Sequence, residues 1–211
     1  MKITETNLKF KSNMSPRKLT QRIIIHHSAS LGNEDAKTIH GWHLNNGWSG
    51  IGYHYIIMKS GEIQRGRPEH FTGAHAGPTG NPNSIGVCLI GHFEQHKPTD
   101  AQMKSLVWLI RDLSERYGSL GIIGHKDVMA TACPGKLFPW DELKQMLAGQ
   151  AVSNVRLTVN GKPTDVPLRI ANGRIEAKIS GAWILARDAA NLLDGVIEWD
   201  EKTKTANIVI G

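Results

Sequence analysis

The sequence predicts an α/β fold with a small α+β domain appended at its C-terminus, and three observations carry that expectation. Short β-branched runs alternate with stretches of helical periodicity up to residue 148, two of those runs end in histidine, and the texture of the sequence changes after residue 149. Behind a polar N-terminal arm, residues 22–27 (RIIIHH) read as a buried strand. Residues 34–46 read as a helix with Ile39, Trp42 and His43 on one face. Residues 52–58, the Ser60-Gly61 turn and residues 62–65 read as a hairpin, and residues 84–90 (SIGVCLI) as a central strand. Thr99 with Gln102 forms a capping box ahead of Met103, Leu106, Val107, Ile110 and Leu113 at helical spacing, and Gly118 ends that helix. Residues 121–125 (GIIGH) form another short strand, and Pro139 opens a last helix through Leu147, with Leu143 and Met146 inward. The expected organisation is therefore a domain over residues 1–148, a small polar linker over 149–154, and a second domain over 155–211. The second domain should hold strands at 155–159 and 174–179, a helix around 186–193, and two strands around 200–205.

Composition narrows the class. The 211 residues are 40% hydrophobic and 21% charged, which is ordinary globular usage and excludes a disordered or fibrous chain. No window approaches the roughly 18–20 apolar residues of a membrane span, and the first residues lack the apolar segment of a secretory signal, so synthesis in the cytoplasm without a signal peptide is expected. Two cysteines, Cys88 and Cys133, make no disulfide framework. The net charge of +6 divides unevenly: residues 1–148 carry 17 Lys and Arg against 12 Asp and Glu, while residues 149–211 carry 8 against 7. Such a field suits an anionic polymer, nucleic acid or bacterial cell wall, or serves solubility alone; charge does not choose among them.

All ten histidines lie between residues 26 and 125. His26, His125 and Cys133 sit at strand ends or in loops, where side chains from separated segments can converge, and zinc takes imidazole nitrogen and thiolate sulfur while leaving a fourth position open in a catalytic site. Successive strand residues point to opposite faces, so His26 or His27 could be the one that faces such a site. Cys88 lies inside an apolar strand, where cysteine acts as a small hydrophobe. Residues 149–211 contain neither His nor Cys, so a borderline or soft metal site there is not expected.

Four blocks occur in order: IIIHHSAS, GYHYIIMKSGEIQRGR, GAHAGPTGNPNSIGVCLIG and GHKDVMATACPG. Together, over roughly residues 20–148, they resemble the type-2 N-acetylmuramoyl-L-alanine amidases, the family shared by T7-type phage lysozymes and the peptidoglycan recognition proteins. The resemblance implies a central mixed β-sheet flanked by helices, one zinc ion per chain held by His26, His125 and Cys133, and hydrolysis of the amide between N-acetylmuramic acid and L-alanine in peptidoglycan. It implies a catalytic role for Tyr53, which would hydrogen-bond the attacking water or the substrate carbonyl. Thr131 stands where T7-type enzymes carry lysine and where active recognition proteins carry threonine; its hydroxyl can donate to an oxyanion but adds no charge. His75 and Asn83 match substrate-groove positions, Arg67 closes the hairpin block, and Trp42 and Trp108 are expected in the core, with Trp48 a core or sugar-stacking residue.

Peptidoglycan, and not nucleic acid, is then the expected partner. Two other readings compete: a recognition module that binds peptidoglycan without turnover, against which the thiolate of Cys133 speaks, and a cytoplasmic muropeptide-recycling amidase, whose third ligand is usually aspartate. A phage or prophage endolysin, released to the wall at host lysis, needs no signal peptide and commonly joins a catalytic domain to a wall-binding one. Residues 155–211, with VPLRIANGR and GVIEWDEKTKTANIVIG, resemble the copper amine oxidase N-terminal-like stalk domain. They would attach the enzyme to a secondary cell-wall polymer, or serve as a dimerisation or stabilising module.

Overall fold

The computed structural model describes residues 1–11, 14–148, 150–151, 156–160, 162–164, 168–171, 174–179, 182–185, 195–200 and 205–210. The chain divides into two compact units, Met1–Leu143 and Lys144–Gly211. The division falls inside the last helix of the first unit and not at the expected linker over 149–154, because Leu143 is the last buried side chain of that helix.

The first unit is built on a six-stranded mixed sheet. In chain order its strands are β1 (Ile3–Thr4), β2 (Arg22–His27), β3 (Tyr55–Ile57), β4 (Ile63–Arg65), β5 (Ser84–Leu89) and β6 (Gly121–Gly124), and their order across the sheet is β1-β4-β3-β5-β2-β6. β3 and β4 form the expected antiparallel hairpin, while β2 runs parallel to both β5 and β6. The burial of β2 between two parallel neighbours explains its sequence: Ile23, Ile24 and Ile25 are all fully buried, so the strand is apolar on both faces instead of alternating. The N-terminal arm is part of the fold: Ile3 pairs in parallel with Ile63, and Leu8 and Phe10 pack on the core.

Register sets what each face presents. His26 lies opposite Cys88, and Cys88 opposite Ile56, so these three form one row; His27, Leu89 and Ile57 form the next row, facing the other way. The face with Cys88 and Ile56 carries α1 (Ala36–Asn45), whose Ala36 and Ile39 join Ile51, Met58 and Ile90 in one cluster. Asp35 caps α1 by accepting the Thr38 N–H at 2.8 Å. The helix turns Ala36, Ile39 and His40 inward, and Trp42 is 44% exposed, correcting the phase expected from sequence. The buried stripe is an i, i+3, i+4 set that starts at Ala36, and His40 is accepted there because its ring takes the Ile51 N–H at 3.1 Å and bonds the Lys9 carbonyl at 3.0 Å. Trp48 is exposed and Trp108 half-buried.

The opposite face carries the long helix Asp100–Tyr117, numbered α3 because the short helical turn Gly77–Gly80 before β5 is α2. Its capping box is formed as expected, with Thr99 Oγ1 accepting the Gln102 N–H and the Gln102 side chain accepting the Thr99 N–H, both at 3.1 Å. Gln102 is also buried and donates to the carbonyls of Ile57 and Ile90. Fully buried Tyr55 lies on this face, with its hydroxyl engaged by Arg65 and Arg116. The last helix, α4 (Trp140–Ala148), begins one residue after Pro139, whose carbonyl accepts the Leu143 N–H.

In the second unit, β7 (Gln150–Ala151), β10 (Leu168–Ala171), β11 (Arg174–Ile179) and β12 (Ala182–Leu185) form an antiparallel sheet in the order β12-β11-β10-β7. A second sheet, β13-β14-β8-β9, joins β8 (Arg156–Val159), β9 (Lys162–Pro163), β13 (Gly195–Asp200) and β14 (Thr205–Ile210), with β8 and β14 parallel. The helix expected around residues 186–193 lies outside the described residues.

Candidate metal centre and active site

Three separated segments deliver one cluster. His26, Cys133 and His125 each offer a ligand atom, and those atoms all lie within 4.8 Å of one another. The pleat decides between the paired histidines: the His26 ring is fully buried with its Nδ1 3.8 Å from Cys133 Sγ, while His27 points the other way, its Nδ1 accepting the Phe93 N–H at 3.0 Å and its ring edge-on to His92. His125 opens a short 3-10 turn, His125–Asp127, at the end of β6, and Asp127 anchors that turn by accepting the Gly124 N–H at 2.7 Å. Cys133 is located through its backbone and its sulfur together: Lys126 N–H donates to its carbonyl at 2.8 Å, and His27 N–H donates to Sγ at 3.4 Å.

The donor set fits a divalent ion of borderline softness. Two ligands at zinc–nitrogen and zinc–sulfur bond lengths around a tetrahedral ion lie about 3.5 Å apart, close to the observed separation of His26 Nδ1 and Cys133 Sγ. Burial, then His125 and His27, holds His26 well below the ordinary histidine range, and burial lowers His125 as well, so both rings are neutral and can ligate. Burial pushes the Cys133 thiol up to about 11, with the His27 N–H working in the opposite direction. An uncompensated thiolate is costly in this place, and a bound cation is what would make it favourable.

A family model described as N-acetylmuramoyl-L-alanine amidase matches residues 16–136, a stretch containing every member of the cluster. The chain belongs to this amidase family. Among its relatives is the endolysin of Enterobacteria phage T3, 36% identical over 65% of this chain and 95% of the phage protein. Peptidoglycan-recognition protein SC2 of Drosophila melanogaster is 31% identical over 57% of this chain and 71% of its own. The solved structure of the N-acetylmuramoyl-L-alanine amidase LysC from Clostridium intestinale superposes with a TM-score of 0.67 at 38% identity, over 70% of this chain and 98% of LysC. The match ends before α4, so the second unit lies outside the part of the chain that defines it as an amidase.

Around the amidase cluster the other expected residues fall in different places. Tyr53 is beside it, with its ring centroid 5.0 Å from that of His26 and 5.8 Å from His43; burial, then the sulfurs of Cys88 and Cys133, raises its phenol well above the usual range. Thr131 is exposed, and its Oγ1 accepts the Cys133 N–H at 3.3 Å. His75 is only 8% exposed and stands behind the cluster, its Nδ1 2.9 Å from His26 Nε2. Asn83 is not brought to the cluster: it precedes β5 at the other end of the strand from Cys88, where its Oδ1 accepts from Arg22 and its amide donates to Gln21. Arg67 is buried and donates to the carbonyls of Ile51 and Thr72, a structural use. Three residues around the cluster were not legible in the sequence: Ser84, whose Oγ lies 3.4 Å from His75 Nε2, Gly86, which packs against the His75 ring, and Asp127; the last had one signal, a carboxylate three residues beyond the strand-ending Gly124 it caps.

Proposed function

We propose that this chain is a zinc amidase that hydrolyses the bond between N-acetylmuramic acid and L-alanine in peptidoglycan, acting on the wall in the manner of an endolysin. The convergence of His26, His125 and Cys133 within 4.8 Å carries the reading, because a thiolate and two neutral imidazoles leave one coordination position open for chemistry. When bound there, zinc supplies a Lewis acid that polarises the scissile carbonyl and acidifies water to a pKa of about 7. Tyr53 stays protonated and donates a hydrogen bond to the oxygen that gains charge as water adds to the carbonyl carbon. Thr131 takes the Cys133 N–H on a lone pair and directs its own O–H outward to the same oxygen. The C–N bond then breaks, and the alanine nitrogen leaves as the amine after gaining a proton.

Substrate contacts by His75 and Asn83 form no part of this mechanism: the ring of His75 is almost wholly covered, and the Asn83 side chain is engaged by Arg22 and Gln21. Attachment to a secondary wall polymer is the role we assign to residues 155–211. A chain ending at residue 148 that sediments with purified walls as well as the full chain does would remove that assignment.

The activity is tested by incubating purified peptidoglycan with the full chain and with Cys133→Ser, counting new alanine amino termini and bound zinc in each. Cleavage and one zinc in the wild type, both lost in Cys133→Ser, is the expected result. Tight peptidoglycan binding by a zinc-free wild type with no new amino termini favours the recognition-module reading instead.

A further inference from the structure

We propose that His75 and Ser84 are positioning residues that fix His26 in the one tautomer able to ligate a metal through Nδ1, an inference that rests on the reading of His26 as a ligand. The His26 ring offers two nitrogens to two neighbours. Nδ1 faces Cys133 Sγ at 3.8 Å, and Nε2 lies 2.9 Å from His75 Nδ1. Distance alone leaves open which ring holds the proton between them, and the far end of the chain of contacts decides it.

Ser84 Oγ is 2.7 Å from the Gly80 carbonyl and 3.4 Å from His75 Nε2. A hydroxyl has one proton, and a carbonyl can only accept, so the Ser84 proton is committed to Gly80. Toward His75 the Ser84 oxygen can then only accept, which places the His75 proton on Nε2. A neutral imidazole with Nε2–H has a bare Nδ1, and that Nδ1 accepts from His26 Nε2–H. His26 is left with its Nδ1 lone pair aimed into the cluster, the form a metal requires. The reverse arrangement would set two bare acceptors, Ser84 Oγ and His75 Nε2, against each other and aim an N–H at Cys133. His26 and Ser84 are fully buried and His75 is 8% exposed, so water is not at hand to relieve that mismatch. Two glycines clamp the His75 ring in place: a Cβ at Gly73 would come within 2.4 Å of it, and one at Gly86 within 2.5 Å.

Two measurements on the full-length protein test this. Long-range proton–nitrogen NMR correlations on the metal-free wild type should show His26 with its proton on Nε2, and Ser84→Ala should shift the His26 population toward Nδ1–H. Zinc affinity, read by competition with a chromophoric chelator, should fall about 10- to 100-fold in Ser84→Ala. A wild-type His26 protonated on Nδ1, or a Ser84→Ala protein that binds zinc as the wild type does, overturns the proposal. A wild type that takes up no zinc, or loses none on His26→Ala, overturns the ligand reading and the positioning role with it; the tautomer spectrum distinguishes that failure from a failure of the relay.

Discussion

Replacing Gly86 with alanine adds one methyl group in the centre of the sheet, and its consequence can be worked from its neighbours. The new Cβ would lie 2.5 Å from His75 Cδ2, 2.6 Å from Cγ and 2.7 Å from Nε2, all closer than atoms tolerate. The backbone cannot retreat, because Gly86 N–H donates to His54 Nδ1, the Gly86 carbonyl accepts the His54 N–H, both at 2.9 Å, and the residue is paired with Ile24 across β2. The His75 ring must therefore move, and its bond to His26 is what gives way. Overpacking of this kind costs about 1–3 kcal/mol, and loss of the orienting bond weakens zinc by roughly 10- to 100-fold. Urea unfolding of the metal-free protein and a zinc competition titration read the two effects separately. Gly41→Ala in α1 is the control, since a Cβ there meets nothing within 4 Å, and it should stabilise the protein by about 0.5–1 kcal/mol. A Gly86→Ala protein with wild-type unfolding midpoint and wild-type zinc affinity would refute the account of how His75 is held.

Two further outcomes follow from the buried titrating groups. His54 is held at about 3, chiefly by burial and also by Arg17 and Arg67, against the Phe71 carbonyl and Glu69, which work the other way. The unfolded chain thus binds the proton first, so stability is complete above about pH 6.5 and declines as pH falls toward 3, by about 2 kcal/mol at pH 5 from this residue alone. Urea unfolding at pH 7.5 and pH 5 checks it, and equal free energies at the two values would contradict a buried neutral His54. Tyr53→Phe should lower kcat by about 100-fold while leaving bound zinc at the wild-type level; loss of zinc would make Tyr53 a structural residue instead of a donor to the oxyanion.

Much of the first unit was legible because its signals are local. Three consecutive isoleucines, the Thr99–Gln102 box and the Ser60-Gly61 turn each specify an element without help from distant residues, and each forms where expected. The phase of α1 was misread because tryptophan weighs heavily in any apolar pattern, whereas the fold buries His40 and leaves Trp42 in solvent. The two-residue strand β1 carries no periodicity at all; only its pairing with Ile63 defines it. At the site, the choice between His26 and His27 depended on which face of the sheet Cys133 would approach, a fact held 106 residues away in the chain. The histidines were the hardest to read. His27, His40, His43 and His54 each accept a backbone N–H at Nδ1, from Phe93, Ile51, Gly52 and Gly86 respectively, so four of ten candidates serve the architecture.

The separation of His26 from Cys133 along the chain gives a bound ion a topological meaning beyond its chemistry. An ion gripping both residues closes a loop between positions 107 apart in the chain, enclosing most of the six-stranded sheet. A covalent tie of that span restricts the unfolded chain by roughly 4–5 kcal/mol, and a tight metal–thiolate bond approaches the same limit for as long as it lasts. Chelation would therefore do more than silence hydrolysis: it would untie the molecule, and proteases should find its loops sooner once the ion is gone.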